Sequence, residues 1–243
     1  MNSLAIDAWN STYAALDQQP ITMFEIQYLA TSPTLTHLDL RYDWILDDEI
    51  ESFSANHILT HLNLGDNQLT DKGAQMLAKN ISVTDLNLTN NKIASQGAIA
   101  LSKNHTLAFL NLDDNRVGIE GARALSRNYA LVKLNLRDNL VGNSLPGFFV
   151  DNITLTSLSL GGNYGTIGGI HFMSRNCTLT EFNPVSRTSM AGEYILTVFH
   201  SVRQHDTQIK MGYINEFLDD MFPKDILLHI LFPYLFSPHI SIG

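Results

Sequence analysis

The chain repeats itself every 24 residues, and a period in that range confines it to architectures built by stacking one small unit. Asparagine stands at Asn56, Asn80, Asn104, Asn128, Asn152 and Asn176, and a second series runs through Asn67, Asn91, Asn115, Asn139 and Asn163. Three apolar columns keep the same register. The first is Leu35, Leu59, Val83, Leu107, Leu131, Leu155 and Leu179. The second is Leu38, Leu62, Leu86, Leu110, Leu134, Leu158 and Phe182, and the third Leu40, Leu64, Leu88, Leu112, Leu136 and Leu160. A unit this short buries its apolar edge only against its neighbours, so the chain grows as a solenoid.

Residues 59–82 show the unit. Leu62 and Leu64 alternate with His61, Asn63 and Gly65, the period of a strand with one buried face. Asn67 ends the strand at a turn, where a buried amide satisfies backbone groups that the turn leaves unpaired. Stacked from unit to unit, those amides make a polar ladder beside the apolar one. Thr70 or Asp71 then caps a short helix. Ala74, Leu77 and Ala78 fall at helical spacing, and Asn80 is the expected left-handed terminator. The pairs Gly73-Ala74, Gly97-Ala98 and Gly121-Ala122 keep the helices thin where they meet. Parallel strands about 4.8 Å apart therefore line a concave face, with helices on the convex one.

The pattern divides the chain into three. Residues 1–33 form a degenerate capping repeat, with Ala14, Leu16, Ile21, Ile26 and Leu29 in register. Residues 34–184 are the solenoid, which ends where Pro184 and Arg187 break the columns. Pro146 delays the start of one helix, and Gly161, Gly162, Gly165, Gly168 and Gly169 make the next unit the loosest. Residues 185–243 return to helical spacing, with Ile195, Val198, Phe199 and Val202 on one face and Met211, Ile214, Phe217, Leu218 and Met221 on another. They read as a helical cap.

The L-x-x-L-x-L-x-x-N core resembles the leucine-rich repeat. The expected fold class is thus α/β, a leucine-rich-repeat solenoid in a right-handed horseshoe arc with a helical C-terminal cap. The segments 73–80 (GAQMLAKN), 97–104 (GAIALSKN) and 121–128 (GARALSRN) are similar to the 24-residue GALA repeats, related to the ribonuclease-inhibitor type. GALA repeats are known in effectors that bacterial pathogens inject into eukaryotic cells. This resemblance implies protein binding and not a reaction. The start of 222–239, with Pro223, Asp225, Ile226, Leu227, Ile230, Leu231, Tyr234 and Leu235, is similar to the opening of an F-box, the hook of a ubiquitin-ligase adaptor. That segment is read either as part of the cap or as such a hook.

Composition narrows the function. Residues 1–57 carry one Lys/Arg against nine Asp/Glu, within a net charge of −9. An acidic chain with no basic stripe is not expected to bind nucleic acid, which needs cations to displace counterions. Cys177 has no partner for an intramolecular disulfide, and its period-equivalents Ile81, His105, Tyr129 and Ile153 suggest a packed loop residue. The N-terminus lacks the basic start and apolar run of a signal peptide, and no window approaches a membrane span. A cytosolic setting is expected, reached in the effector reading by bacterial secretion into a host.

No catalytic residue, metal site or cofactor is expected. His57 and His61 lie on different elements, His37 and His61 stack as a pair without further ligands, and Gly161–Gly169 matches no phosphate-binding loop. Asp47, Asp48, Glu49 and Glu51 lack calcium-loop spacing. The outward columns carry the candidate surface instead. They give His37, His61, Phe109 and Lys133 before the middle leucines, Asp113 and Arg137 after the third leucine, and Tyr42 beside them. The position after the ladder asparagine gives Trp44, Arg116, Leu140 and Tyr164. Large aromatic and arginine side chains with no packing duty mark an interface. The expected partner is one protein on the concave face, an enzyme or another effector, bound by a monomer; a ubiquitin-ligase adaptor is the alternative.

Overall fold

The computed structural model describes residues 13–15, 21–141, 145–163, 176 and 178–183. Its spine is one parallel sheet of eight strands in chain order, each three residues long. They are β1 (Tyr13–Ala15), β2 (His37–Asp39), β3 (His61–Asn63), β4 (Asp85–Asn87), β5 (Phe109–Asn111), β6 (Lys133–Asn135), β7 (Ser157–Ser159) and β8 (Glu181–Asn183). Each residue pairs with the one a full period on, so Leu38, Leu62, Leu86, Leu110, Leu134 and Leu158 form one continuous buried row.

Helices follow the strands on the other side: α1 (Met23–Ala30), α2 (Asp71–Leu77), α3 (Ser95–Leu101), α4 (Gly118–Leu125) and α5 (Leu145–Phe148). One unit replaces its α-helix with two 3-10 segments, Asp47–Glu49 and Glu51–Ala55. α1 starts at a capping box in which Thr22 and Glu25 bond each other's backbone N–H. Those bonds hold the Glu25 carboxyl below the ordinary carboxylate range. Two apolar columns not singled out in the sequence complete the core. Ile45, Leu69, Ile93, Val117 and Val141 seal the turn side, and Phe53, Leu77, Leu101, Leu125 and Phe149 seal the helix side.

Both asparagine series are buried and bonded across repeats. The Asn91 amide donates to Leu64 O at 2.9 Å and to Leu88 O and Thr89 O at 3.1 Å, and its oxygen accepts from Leu69 N at 2.9 Å. Asn115 repeats the set one period on. In the other series Asn104 donates to Asn80 O at 2.7 Å and Ala78 O at 3.1 Å, and accepts from the N–H groups of Thr106 and Leu107.

One expectation needs correction and another is resolved. Asn80 is no left-handed terminator: α2 ends in right-handed geometry at Ala78, and the Asn80 amide turns inward to Phe53 O and Asn56 O. Left-handed geometry falls instead one residue ahead of the ladder position, at Tyr42, Asp66, Asn90, Asp114 and Asp138, where the short polar side chains tolerate that conformation best. Thr70 is the cap of α2 through its bond to Lys72 N, whereas Asp71 serves the next unit, accepting from Ala94 N at 2.7 Å and Gly97 N at 2.8 Å. Asp47 plays the same part for Thr70 N and Gly73 N, which gives the acidic run a structural use. The period-equivalents of Cys177 are exposed, Ile81, Tyr129 and Ile153 among them, so they do not support a packed cysteine. Cys177 itself, Tyr164, the glycines after 163, the cap at 185–243 and the hook at 222–239 lie outside the described residues. Among the described residues, no helix is long and apolar enough to cross a membrane.

Two stability predictions follow from this packing. Replacing Asn115 with alanine strands the Ile93 N–H and takes one donor from each of three carbonyls that keep a second, from Asn91, Asn139 or Asn90 N, and urea unfolding should show a loss of about 1–3 kcal/mol. A Cβ on Gly97 would stand 2.7 Å from Asp71 Oδ1 and 2.9 Å from Ala74 Cβ, whereas one on Gly147 meets nothing within 4 Å. Alanine gains up to about 1 kcal/mol in helix propensity at either site, but overpacking costs about 1–3 kcal/mol at the first. Gly97→Ala should therefore destabilise the protein and Gly147→Ala should not.

Candidate protein-binding surface

Because the central residue of each strand from β2 to β7 is buried in the core, its two neighbours point out, and the parallel register lines these up in rows. One row is His37, His61, Asp85, Phe109, Lys133, Ser157 and Glu181. The His37 and His61 rings stack at 3.9 Å, 14° from parallel. Each ring Nδ1 lies 2.9 Å from the hydroxyl of the preceding threonine, Thr36 or Thr60. Lys133 places its ammonium 5.5 Å from the centre of the Phe109 ring, a cation–π contact worth about 0.5–1 kcal/mol at an exposed site. Arg137 reaches Asp138 at 3.1 Å and Asp113 at 4.0 Å. Burial raises the Asp113 carboxyl above its ordinary value, and Arg137 opposes that shift. The other row, with Asn63, Asn87, Asn111 and Asn135, is framework: these amides accept the N–H two residues ahead and close the turn.

The turns at the strand ends hold a pocket of about 380 Å³. Its lining comes from four successive turns, with Tyr42 and Trp44 from the first, Asp66 and Gln68 from the second, Asn90 and Lys92 from the third, and Asp114 and Arg116 from the fourth. Tyr42 (φ 65°) and Trp44 (φ 58°) are both left-handed, yet 59% and 70% exposed. Position 42 is left-handed in the following turns as well, at Asp66, Asn90, Asp114 and Asp138, so that geometry belongs to the repeat. Trp44 shares its own with Leu140 alone among its described equivalents, and a conformation that costs roughly 1–2 kcal/mol for a residue with a Cβ is there offset by little burial. The Lys92 ammonium is held by the Gln68 amide. Arg116 has no ion pair among the described residues.

The candidate residues thus fall into groups. Tyr42, Trp44 and Arg116 meet in the pocket; His37 with His61, Phe109 with Lys133, and Asp113 with Arg137 lie along the strand face as three neighbouring pairs. Leu140, also left-handed and exposed, sits on the same turn edge outside the pocket. Gln68 and Lys92 were not picked out from the sequence, although their column contains Trp44 and Arg116. Also missed was an exposed column, His57, Ile81, His105, Tyr129 and Ile153, whose apolar members suggest packing when read as sequence alone. Among the described residues no group of three or more His, Cys, Asp or Glu is placed to hold a metal ion.

Trp44→Gly relieves the left-handed strain of about 1 kcal/mol and adds a similar freedom to the unfolded chain. Thermal unfolding should place the variant within about 1 kcal/mol of the parent, whereas a tryptophan that held the fold together would cost several times that.

Two family models, both described as leucine-rich repeats, match residues 33–93 and 103–126. Among solved structures, an internalin from Listeria monocytogenes is 19% identical at a TM-score of 0.47, over 73% of this chain and 56% of the internalin. The chain thus spans little more than half of that protein's length. The actin-binding site 2 of leiomodin-1 is 17% identical at a TM-score of 0.38, over 83% of this chain and 99% of that one. No curated protein matches the chain.

Proposed function

We propose that this leucine-rich-repeat solenoid, matched by family models over residues 33–93 and 103–126, is a non-enzymatic module that binds one protein partner across its strand face and the adjoining turn pocket. The observation that carries this reading is the exposed Tyr42–Trp44 pair lining one pocket with Arg116, which has no ion pair among the described residues. Aromatic and arginine side chains dominate binding energy at interfaces because they combine large contact area with directed polar groups. The Phe109–Lys133 and Asp113–Arg137 pairs extend the same surface along the strands. An effector role rests on the GALA-like segments 73–80, 97–104 and 121–128. Within that role, covering a partner enzyme's active site and delivering a partner to a ubiquitin ligase through 222–239 are two uses of one binding face.

The test is affinity capture of partners by the intact chain, followed by titration of the captured protein. Each of Trp44→Gly and Arg116→Ala should weaken binding by roughly tenfold or more while leaving the melting curve in place. Phe109→Ala should weaken it as well. Unchanged affinity in all three would overturn the surface. Stopping the chain at residue 221 distinguishes the two uses: loss of a co-captured ligase adaptor with the partner retained supports recruitment, and retention of both removes it.

A further inference from the structure

One rung of the amide ladder is not an amide. Asp43 stands one period before Asn67, in the same turn position, and is 4% exposed. Both of its carboxylate oxygens are shielded from solvent, and neither has a hydrogen-bond partner among the described residues. The other rungs show what this position requires. Asn67, Asn91 and Asn115 each donate from Nδ2 to the carbonyls two and three residues earlier in their own turn, at 3.1 to 3.2 Å. The corresponding carbonyls for residue 43 are those of Leu40 and Arg41. An ionised carboxylate has only acceptors to offer them. A carboxylic acid has one O–H and one carbonyl oxygen, the same donor and acceptor pair as an amide.

We propose that Asp43 is a neutral carboxylic acid in the folded protein, its O–H replacing the missing amide donor, so that this rung holds only while the proton stays on. Burial pushes the Asp43 carboxyl up to about 6, and the Asp39 carboxylate acts in the same direction. Asp39 and Arg41, paired with each other at 2.9 Å, are the charged groups of its own turn. The stacked turn of the next repeat carries the neutral Gly65 and Asn67 with the Asp66 carboxylate between them. Since the folded value lies above the ordinary 3.8, the fold binds this proton more tightly than the unfolded chain does. The stabilisation is complete below about pH 4, declines as pH rises, and is gone above about pH 6.

The rung has a local consequence. Asp43 lies between Tyr42 and Trp44, the two left-handed residues of that turn. Losing the proton sets a bare carboxylate against the carbonyls of Leu40 and Arg41 and loosens the segment that holds both aromatic rings outward. This holds whether or not those rings meet a partner, so it stands apart from the binding reading.

Asp43→Asn in the full chain completes the ladder and tests the proposal. Thermal unfolding of parent and variant should nearly coincide at about pH 4 and separate by several degrees in the variant's favour above about pH 6. A difference that does not change with pH, or a variant less stable near pH 7.5, would overturn it. Asp39→Asn, which removes the neighbouring charge, should move the parent's pH transition to lower pH. Hydrogen exchange on the parent gives a readout that needs no variant. Corrected for intrinsic rates, protection of amides 42–46 relative to 109–112 should fall between about pH 5 and about pH 7.5, and a constant ratio would contradict the protonated rung.

Discussion

A side-chain amide that faces the backbone of two repeats at once is the interaction on which the rest of this solenoid depends. The turn after each strand leaves carbonyls pointing inward, and a three-residue strand is too short to hide them by pairing alone. Asn67, Asn91, Asn115 and their equivalents collect those carbonyls from two units and return an oxygen to an N–H of the preceding repeat. Each unpaired buried group would cost about 1–3 kcal/mol, so the ladder sets the register before apolar packing does. The second series, from Asn56 to Asn176, does the same where each helix returns to the next strand.

With the register set by polar groups, apolar and small residues set the spacing. The helices close on one another at Gly97 and Gly121, where even one added methyl group meets Asp71 and Ala74, or Ala98, of the neighbouring repeat. Asp47 and Asp71 bond the helix starts of the following unit, so one repeat caps the next. Stability is therefore shared between neighbours, and a defect weakens the units beside it. The strand face is relieved of packing duties, which leaves its outward residues free to differ.

The strands, the three leucine columns and both amide series were legible in the sequence because each is a near-strict repeat of one residue type, whereas the turn-side and helix-side apolar columns change residue from unit to unit. The helix details were not. Asn and Asp both suit the left-handed turn, and composition does not say that Asp66 and Asp114 take it while Asn80 turns inward. Asp71 looks like the cap of its own helix until the stacked neighbour is in place. The pocket joins residues from four consecutive turns, so single columns revealed Trp44 and Arg116 but not their union with Lys92 and Gln68. Asp43 was passed over because it breaks the asparagine count, although the period alone places it on the ladder.

An unpacked strand face beside a turn that leaves two aromatic side chains exposed is a surface suited to a protein partner. The most direct measurement replaces Trp44 with a photo-activated cross-linking residue and, in a second protein, does the same at Gln96, exposed on α3. Binding through the strand face and turn pocket predicts that one defined partner is captured from position 44 and not from position 96. Equal capture at both, or capture from position 96 alone, would contradict it.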